Sequence, residues 1–129
     1  KSFDMRDGMG LEILRQFDVE VIIMTSENSQ LVARRMQKLK IEHVFLGVKD
    51  KYTLLKNIVT KANISLSNVA YVGDDVNDLT NICSVGWSLA PNNAIDIVKT
   101  NADVVLSKNS GAGAIREACQ FVMNYNKRF

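Results

Sequence analysis

The sequence predicts an α/β fold in which helices cover both faces of a parallel β-sheet. Short β-branched apolar runs alternate along the chain with segments whose apolar residues recur at helical spacing. Asn, Ser and Gly punctuate the joins, and no repeat or low-complexity linker divides the chain. Strands that alternate with helices pair in parallel, because each helix carries the chain back across the sheet. We therefore expect one domain spanning residues 1–129, a size sufficient for a real core.

The elements follow one another in a regular order. The run VEVIIM (19–24) has the length and branching of a buried strand. The segment after it (30–39) places Leu31, Val32 and Met36 on one helical face. The same alternation continues to the end of the chain. Further strands are predicted at 43–46, 68–72, 86–90 and 103–107, and further helices at 52–62, 77–83, 93–100 and 113–125.

Composition and charge narrow the possible partners. The net charge is only +2 and the chain is 47% hydrophobic, so no strongly basic face is expected for nucleic acid or for a membrane surface. No stretch is apolar for long enough to span a bilayer, and no signal peptide is visible. Cys83 and Cys119 lack metal-ligand spacing and fall in helical segments, which predicts buried free thiols in a reducing cytoplasm.

Polar residues follow three of the predicted strands at the point where each strand ends. Thr25 follows the first strand, Lys51 follows the second, and the third leads into YVGDDVND with Asp74, Asp75 and Asp78. The carboxyl ends of parallel strands meet at one rim, which is where ligands bind in such sheets. A hydroxyl and a lysine suit phosphate oxygens, and Mg²⁺ takes one or two carboxylates. The rim is therefore predicted to bind a phosphate together with Mg²⁺.

Each of these residues also has a purely structural interpretation. Thr25 could cap the helix that follows it, and Lys51 could be a solvated lysine that opens a helix. Asp75 or Asn77 could be a helix N-cap. A single cap, however, does not require three carboxylates within five residues of GDDVND. The combination on one rim favours the functional interpretation.

Beyond these patterns, the chain resembles the haloacid dehalogenase superfamily and, within it, the small capless sugar phosphatases. MTSENS resembles the second motif of that family, GVKDKYTLL the third and YVGDDVND the fourth. The resemblance implies that Thr25 and Lys51 are catalytic residues that bind the phosphate. It also implies that Asp74 and Asp75 belong to the Mg²⁺ site, with Asp78 as a supporting carboxylate.

Flanking segments are similar to one branch of the family. KSFDMRDGMGLEIL and GAGAIRE resemble segments of the 3-deoxy-octulosonate 8-phosphate phosphatases and of their nonulosonate 9-phosphate relatives. The resemblance implies substrate contacts from Arg6 and Asp7. Glu27 and Arg35 match the substrate-selecting pair of the nonulosonate enzymes, although Arg35 could equally be an ordinary surface residue of its helix. The implied substrate is a phosphorylated acidic sugar, with a nonulosonate 9-phosphate preferred, and the implied assembly is a homotetramer.

Two positions depart from the pattern of this branch. Ser26 stands where the branch usually has Gly after the threonine of the second motif, so an altered turn is expected. NSGAGA stands where octulosonate phosphatases commonly carry GGRGA, which puts Ala112 at the arginine position. The loss of that arginine weakens the octulosonate assignment.

The nucleophile of the family has no counterpart in this sequence. In the family it is the first Asp of a D-x-D-G segment at the end of the first strand. Asp4 and Asp7 of FDMRDG are three residues apart and no apolar strand precedes them. Asp18 lies at the amino end of its strand, on the wrong rim. The expectation is a core domain truncated before its first, central strand, and a polypeptide of residues 1–129 that is inactive.

Two other classes of protein share parts of this pattern. A phosphatase-like carboxyl-terminal module of an acylneuraminate cytidylyltransferase would use the same fold for assembly, and the residues upstream of Lys1 would identify it. A response-regulator receiver also gathers Asp, Thr and Lys on the rim of a parallel sheet. In receivers, however, the acidic pair comes early and the Thr and Lys come late, which is the reverse of this chain.

Overall fold

The computed structural model describes Leu14, Gln16 and residues 18–126, and these form alternating strands and helices. The strands are β1 (Ile22–Met24), β2 (His43–Phe45), β3 (Ala70–Val72), β4 (Trp87–Ala90) and β5 (Val104–Val105). The helices are α1 (Gln30–Lys38), α2 (Lys51–Lys61), α3 (Leu79–Ser84), α4 (Asp96–Asn101) and α5 (Ala114–Asn126). Short 3₁₀ turns at Leu66–Asn68 and Val76–Asp78 lie on either side of β3.

Every strand pair is parallel, as the sequence predicts. Ile22 pairs with His43 where β1 meets β2, and Ala70 pairs with Trp87 where β3 meets β4. The paired segments are shorter than the predicted strands. Val19 and Val21 pack in the core but precede the ladder of β1, because β2 offers backbone partners over only three residues.

Helices cover both faces, which confirms the predicted layering. On one face, Met36 of α1 and Cys119 of α5 pack against Ile23 of β1. On the other face, Ile82 of α3 and Val98 of α4 pack around the β3 residue Tyr71. Such burial is the main force that holds helices of this length on a sheet, because short helices are marginal by themselves.

The described strands form two sheets rather than one. One contains β1 and β2, and the other contains β3, β4 and β5 in that order. α5 spans both, since its Cys119 packs with the first sheet while its Ala114 and Ala118 pack with Leu89 of the second. Met24 of β1 also packs against the cluster that holds Tyr71. The unpaired edges of β1 and β3 therefore border the same gap.

Three structural expectations can be compared with this fold. Thr25 does not cap a helix, because the N-cap of α1 is Ser29, whose side chain accepts a hydrogen bond from the Val32 amide. Cys119 is buried as predicted, whereas the prediction of a buried Cys83 is wrong. Cys83 lies on the outer side of the short helix α3, where the sheet does not cover it.

Candidate active site

The predicted site residues lie at the carboxyl ends of the parallel strands. Thr25 directly follows β1, and Lys51 is the first residue of α2, which follows β2. Asp74, Asp75 and Asp78 belong to the turn after β3. Asp50 begins α2 as its N-cap by accepting a hydrogen bond from the Thr53 amide at 3.0 Å, and this cap sets the direction in which Lys51 enters the helix.

Lys51 and Asp78 form a buried ion pair. The Lys51 Nζ lies 2.9 Å from Oδ1 of Asp78, and the two residues are only 5% and 2% exposed. Lys51 does open a helix, but the interpretation of it as a solvated lysine is wrong. Burial by itself disfavours the ionised carboxyl, yet the hydrogen bonds from Tyr71 and Lys51 prevail, so the pKa of Asp78 lies below its usual value.

Asp78 also organises the turn that carries Asp74 and Asp75. Its Oδ2 accepts hydrogen bonds from the backbone amides of Asp74, at 3.0 Å, and Asp75, at 3.2 Å. Gly73 lies so close that a Cβ atom there would meet the Cβ of Asp78 at 2.5 Å. Only glycine fits at this contact, because a larger residue would push Asp78 out of place. Asp78 thus supports the turn, and its predicted part in a Mg²⁺ site stays a prediction.

Asp74 and Asp75 differ in their surroundings. Asp74 is partly buried, whereas Asp75 is exposed and caps the 3₁₀ turn by accepting from the Val76 amide at 2.6 Å. The interpretation of Asp75 as a cap is therefore correct, although capping with Oδ1 does not by itself preclude a second role. Asp78 has all its lone pairs directed at protein donors, so Asp74 and Asp75 are the carboxylates of this turn that could face a cation.

This donor set fits Mg²⁺ better than a cation that needs a full protein cage. Among the residues that the structure describes, no group of three or more His, Cys, Asp or Glu side chains is arranged to hold a metal ion. Mg²⁺ keeps several waters and requires only one or two protein carboxylates when a substrate phosphate supplies a further oxygen. Asp74, with or without Asp75, meets that requirement.

Thr25 lies in a turn that is tied to the loop before Lys51. Its hydroxyl accepts a hydrogen bond from the Glu27 amide at 3.1 Å, and its carbonyl accepts one from the Val48 amide at 2.9 Å. Ser26 does not have a positive φ, so the turn has no need of glycine at that position. The expectation that Ser26 alters the turn has no basis in its backbone conformation.

Two of the residues proposed to select the substrate lie on the surface, in the segment that follows β1. Glu27 lies on the loop after β1 and Arg35 lies on α1, and both are exposed. Arg6 and Asp7 lie outside the described residues, as do Asp4 and the final residues of the chain. A shallow cavity of ≈ 540 Å³ next to this rim is lined by residues 44–50 and by Thr53, Leu54 and Asn57 of α2. Its lining does not include Thr25, Lys51 or Asp74.

The loop that contains Ala112 is stabilised within the same rim. Gly111 and Gly113 adopt positive φ values of 79° and 97°, which suit glycine. The Ser110 amide donates to Oδ1 of Asn93 at 2.8 Å, which connects the loop after β5 to the loop after β4. The loop therefore keeps a defined shape without an arginine at position 112.

Two polar residues of the site were missed by the sequence analysis. Tyr71, in the middle of β3, donates its hydroxyl to Oδ1 of Asp78 at 2.6 Å. Asn81, fully buried on α3, donates its side-chain amide to the Lys51 carbonyl at 3.3 Å. A tyrosine in the middle of a buried strand needs a partner for its hydroxyl, and this requirement could have pointed to Tyr71. Nothing in the sequence identified the partner.

Comparison with known proteins places this rim in a family. The model of the haloacid dehalogenase-like hydrolases matches residues 24–118, which include Thr25, Lys51 and the turn with Asp74. The chain belongs to this family. The predicted resemblance is therefore confirmed.

Curated relatives and solved structures agree with this assignment. The chain is 35% identical over 123 residues to a 3-deoxy-D-manno-octulosonate 8-phosphate phosphatase of Haemophilus influenzae, which covers 95% of this chain and 68% of the relative. It is 36% identical, with 95% and 65% covered, to the enzyme of the same name from Escherichia coli. The chain thus spans about two thirds of the length of these relatives.

Two solved structures share the fold closely. The 3-deoxy-D-manno-octulosonate 8-phosphate phosphatase of Moraxella catarrhalis, a complex with magnesium, phosphate and KDO, matches with a TM-score of 0.92 at 35% identity, over 96% of this chain and 71% of that one. A cobalt-bound phosphatase of Haemophilus influenzae matches with a TM-score of 0.92 at 34% identity, over 98% and 74%. These matches confirm the α/β fold. In the part of the chain that is described, none of the helices is both long and apolar enough to cross a membrane.

The buried ion pair generates a stability prediction. Lys51→Met should lower the free energy of unfolding by about 3–5 kcal/mol at neutral pH, because it leaves the carboxylate of Asp78 buried without a cation. Lys61→Met, an exposed position at the other end of α2, should change it by about 1 kcal/mol or less. Urea unfolding followed by circular dichroism would measure both.

The pH dependence of the Lys51→Met effect provides an internal control. A carboxyl whose pKa is depressed in the folded state contributes stability that is present at neutral pH and is lost as the pH falls through that pKa. For Asp78 this loss occurs below the usual value of 3.8. The difference in free energy of unfolding between wild type and Lys51→Met should therefore become smaller at acidic pH. A difference in unfolding free energy that stays constant down to acidic pH would contradict the ionised state of the pair.

Proposed function

We propose that this chain carries the phosphate and metal site of a magnesium-dependent phosphatase that acts on a phosphorylated acidic sugar. The observation that carries the proposal is the buried Lys51–Asp78 pair on the turn that holds Asp74. Burying an ion pair is a poor way to stabilise a fold, because an apolar pair often does as well. A lysine kept charged and fixed at the rim of the sheet suits the binding of an anion.

Lys51 has the donors that such an anion requires. An ammonium group carries three N–H donors. Of the described residues, only Asp78 accepts a hydrogen bond from it. The remaining N–H groups would bind two oxygens of a phosphoryl group, and the Thr25 hydroxyl, on the neighbouring loop, would donate to a further oxygen. Both contacts stabilise the negative charge that develops during phosphoryl transfer.

Asp74 would hold Mg²⁺ next to the phosphate, with Asp75 as the second carboxylate within reach. The cation, when bound, supplies Lewis-acid stabilisation of the phosphoryl oxygens. The protein's part is to fix the Asp74 carboxylate, which it does by bonding the Asp74 amide to Asp78. The names of the solved relatives, which mention magnesium and cobalt, support a divalent cation here.

The nucleophile would be carried by a further strand that fills the gap between the two sheets. A strand placed between β1 and β3 would pair with both unpaired edges and unite the sheets. Its carboxyl end would lie between Thr25 and Asp74. An aspartate there could attack phosphorus to form an aspartyl-phosphate, and a second aspartate could protonate the leaving sugar oxygen. We propose that the intact enzyme contains such a strand.

Two acidic sugars are candidates for the substrate. The names of the relatives support 3-deoxy-octulosonate 8-phosphate. The Glu27 and Arg35 pair and the absence of an arginine at position 112 support a nonulosonate 9-phosphate instead. In either case, a guanidinium would bind the sugar carboxylate and a side-chain carboxylate would accept from the hydroxyls.

The metal assignment is tested by Asp74→Asn in the intact protein. The amide keeps the shape of the side chain but loses the charge that holds the cation, so magnesium-dependent phosphate release should fall to background. Asp96→Asn, an exposed aspartate in the first turn of α4, is the matched control and should keep wild-type activity. Wild-type rates from Asp74→Asn would remove Asp74 from the metal site.

The substrate pair is tested by Glu27→Gln and Arg35→Ala. If these residues bind the sugar, each should raise KM for the preferred sugar phosphate by about ten- to a hundredfold, the equivalent of one charged hydrogen bond. KM for p-nitrophenyl phosphate should change little, because that ester has no sugar. Arg34→Ala, the neighbouring exposed arginine, should leave both values unchanged. Equal effects on the two substrates would assign Glu27 and Arg35 to the general surface.

The missing strand is tested with a polypeptide of residues 1–129. Without an aspartate aimed at the phosphorus it should release no phosphate above background, even with Mg²⁺ present. Circular dichroism would report how much of it is folded. Appreciable turnover would contradict the proposal, and Asp7 would then be the first residue to replace.

A further inference from the structure

Tyr71 occupies an unusual position for a core residue. It is 8% exposed, and its ring packs with Ile82, Ala90 and Val98 between the sheet and the helices. Its hydroxyl, however, points at the rim and donates to Oδ1 of Asp78 at 2.6 Å. Lys51 donates to that same oxygen at 2.9 Å. One oxygen of the buried carboxylate is therefore shared by a tyrosine and by the lysine of the phosphate site.

We propose that Tyr71 is a positioning residue that acts through Asp78 to hold the Lys51 ammonium in place for the phosphoryl group. The inference rests on the proposed phosphatase function. It assigns a role to a residue of the hydrophobic core that does not itself contact the substrate.

The geometry explains why the hydroxyl matters. Asp78 receives two backbone amides on Oδ2 and two side-chain donors on Oδ1, so each of its oxygens is fully engaged. With Tyr71 in place, its hydroxyl occupies one of the two lone-pair directions on Oδ1 of Asp78, and the Lys51 ammonium takes the other. Without the hydroxyl, the ammonium would be free to shift across Oδ1 toward the vacated direction. Its remaining N–H groups would then turn away from the phosphoryl oxygens.

The backbone of Lys51 has a partner of its own, Asn81, whose side chain also interacts with the Tyr71 hydroxyl. Asn81 donates to the Lys51 carbonyl, which joins α3 to the start of α2. The bond from Asn81 to the Lys51 carbonyl does not involve the Tyr71 oxygen, so we expect the main chain at Lys51 to move less than the ammonium when that oxygen is removed. Burial, and the negative charge of Asp78 beside it, raise the pKa of Tyr71 above its ordinary value. The hydroxyl thus remains a hydrogen-bond donor at all working pH values.

The test is Tyr71→Phe in the intact enzyme, assayed with p-nitrophenyl phosphate and Mg²⁺. The substitution removes one oxygen and keeps the ring in the core. We expect kcat to fall about tenfold, the low end for loss of a hydrogen bond to a charged group, while KM changes by about twofold or less. Tyr52→Phe is the matched control, because Tyr52 is next to Lys51 on α2 and, within the described part of the chain, its ring rather than its hydroxyl contacts the Lys56 ammonium.

Inhibition constants separate positioning from simple destabilisation. Orthovanadate mimics the five-coordinate transition state, whereas inorganic phosphate resembles the ground state. A misplaced ammonium should weaken inhibition by vanadate several-fold more than inhibition by phosphate. Partial unfolding would lower the number of active sites and leave both constants unchanged. Rates are expressed per folded molecule, with the folded fraction taken from circular dichroism, so that a less stable variant still gives a result.

Each outcome has a distinct meaning. A lower kcat with selective loss of vanadate inhibition supports the positioning role. A Tyr71→Phe enzyme that matches wild type and Tyr52→Phe in kcat and in both inhibition constants overturns it and leaves the phosphatase proposal intact. Equal weakening of vanadate and phosphate would also overturn it, because the hydroxyl would then serve ground-state binding only. Absence of magnesium-dependent phosphate release from wild type would overturn the proposed function itself.

Discussion

The contact on which the site depends is the hydrogen-bonded ion pair of Lys51 and Asp78. Asp78 lies at the end of the turn after β3, and Lys51 lies at the start of α2, so the pair connects two elements that are distant in sequence. The same carboxylate binds the amides of Asp74 and Asp75. One buried group therefore fixes both a cationic and an anionic part of the rim. Its burial is tolerated only because every lone pair has a donor.

The two-sheet arrangement has consequences for how this rim is held. Thr25 belongs to the sheet of β1 and β2, whereas Asp74 belongs to the sheet of β3, β4 and β5. Helix α5 packs against both, and Met24 reaches the core cluster around Tyr71. Side-chain packing, rather than a continuous backbone ladder, keeps the two halves of the described rim together. A central strand would add that ladder, and its backbone hydrogen bonds would hold the two halves at a more fixed distance from each other.

Membership of the haloacid dehalogenase-like hydrolases agrees with this geometry but does not choose the substrate. The loops after β4 and β5 are cross-linked by hydrogen bonds between Asn92 and Lys108 and between Asn93 and Ser110. Both loops follow strands of the second sheet, whereas Glu27 lies on the loop after β1 of the first sheet. Glu27 and Ala112, the two positions that the proposal links to substrate choice, therefore lie on loops of different sheets.

Local sequence patterns were sufficient to predict the parallel α/β fold, the order of its elements and the rim on which Thr25, Lys51 and Asp74 lie. These follow from hydrophobic periodicity and from the rule that parallel strands point the same way, and both act over short stretches of chain. Tertiary structure decided which partners meet. Lys51 could have been a solvated helix residue, and Tyr71 an ordinary core residue. Only packing of α2 against the turn after β3 placed both on one oxygen of Asp78, because burial makes an unpaired charge or hydroxyl costly and so selects for contacts that span the fold.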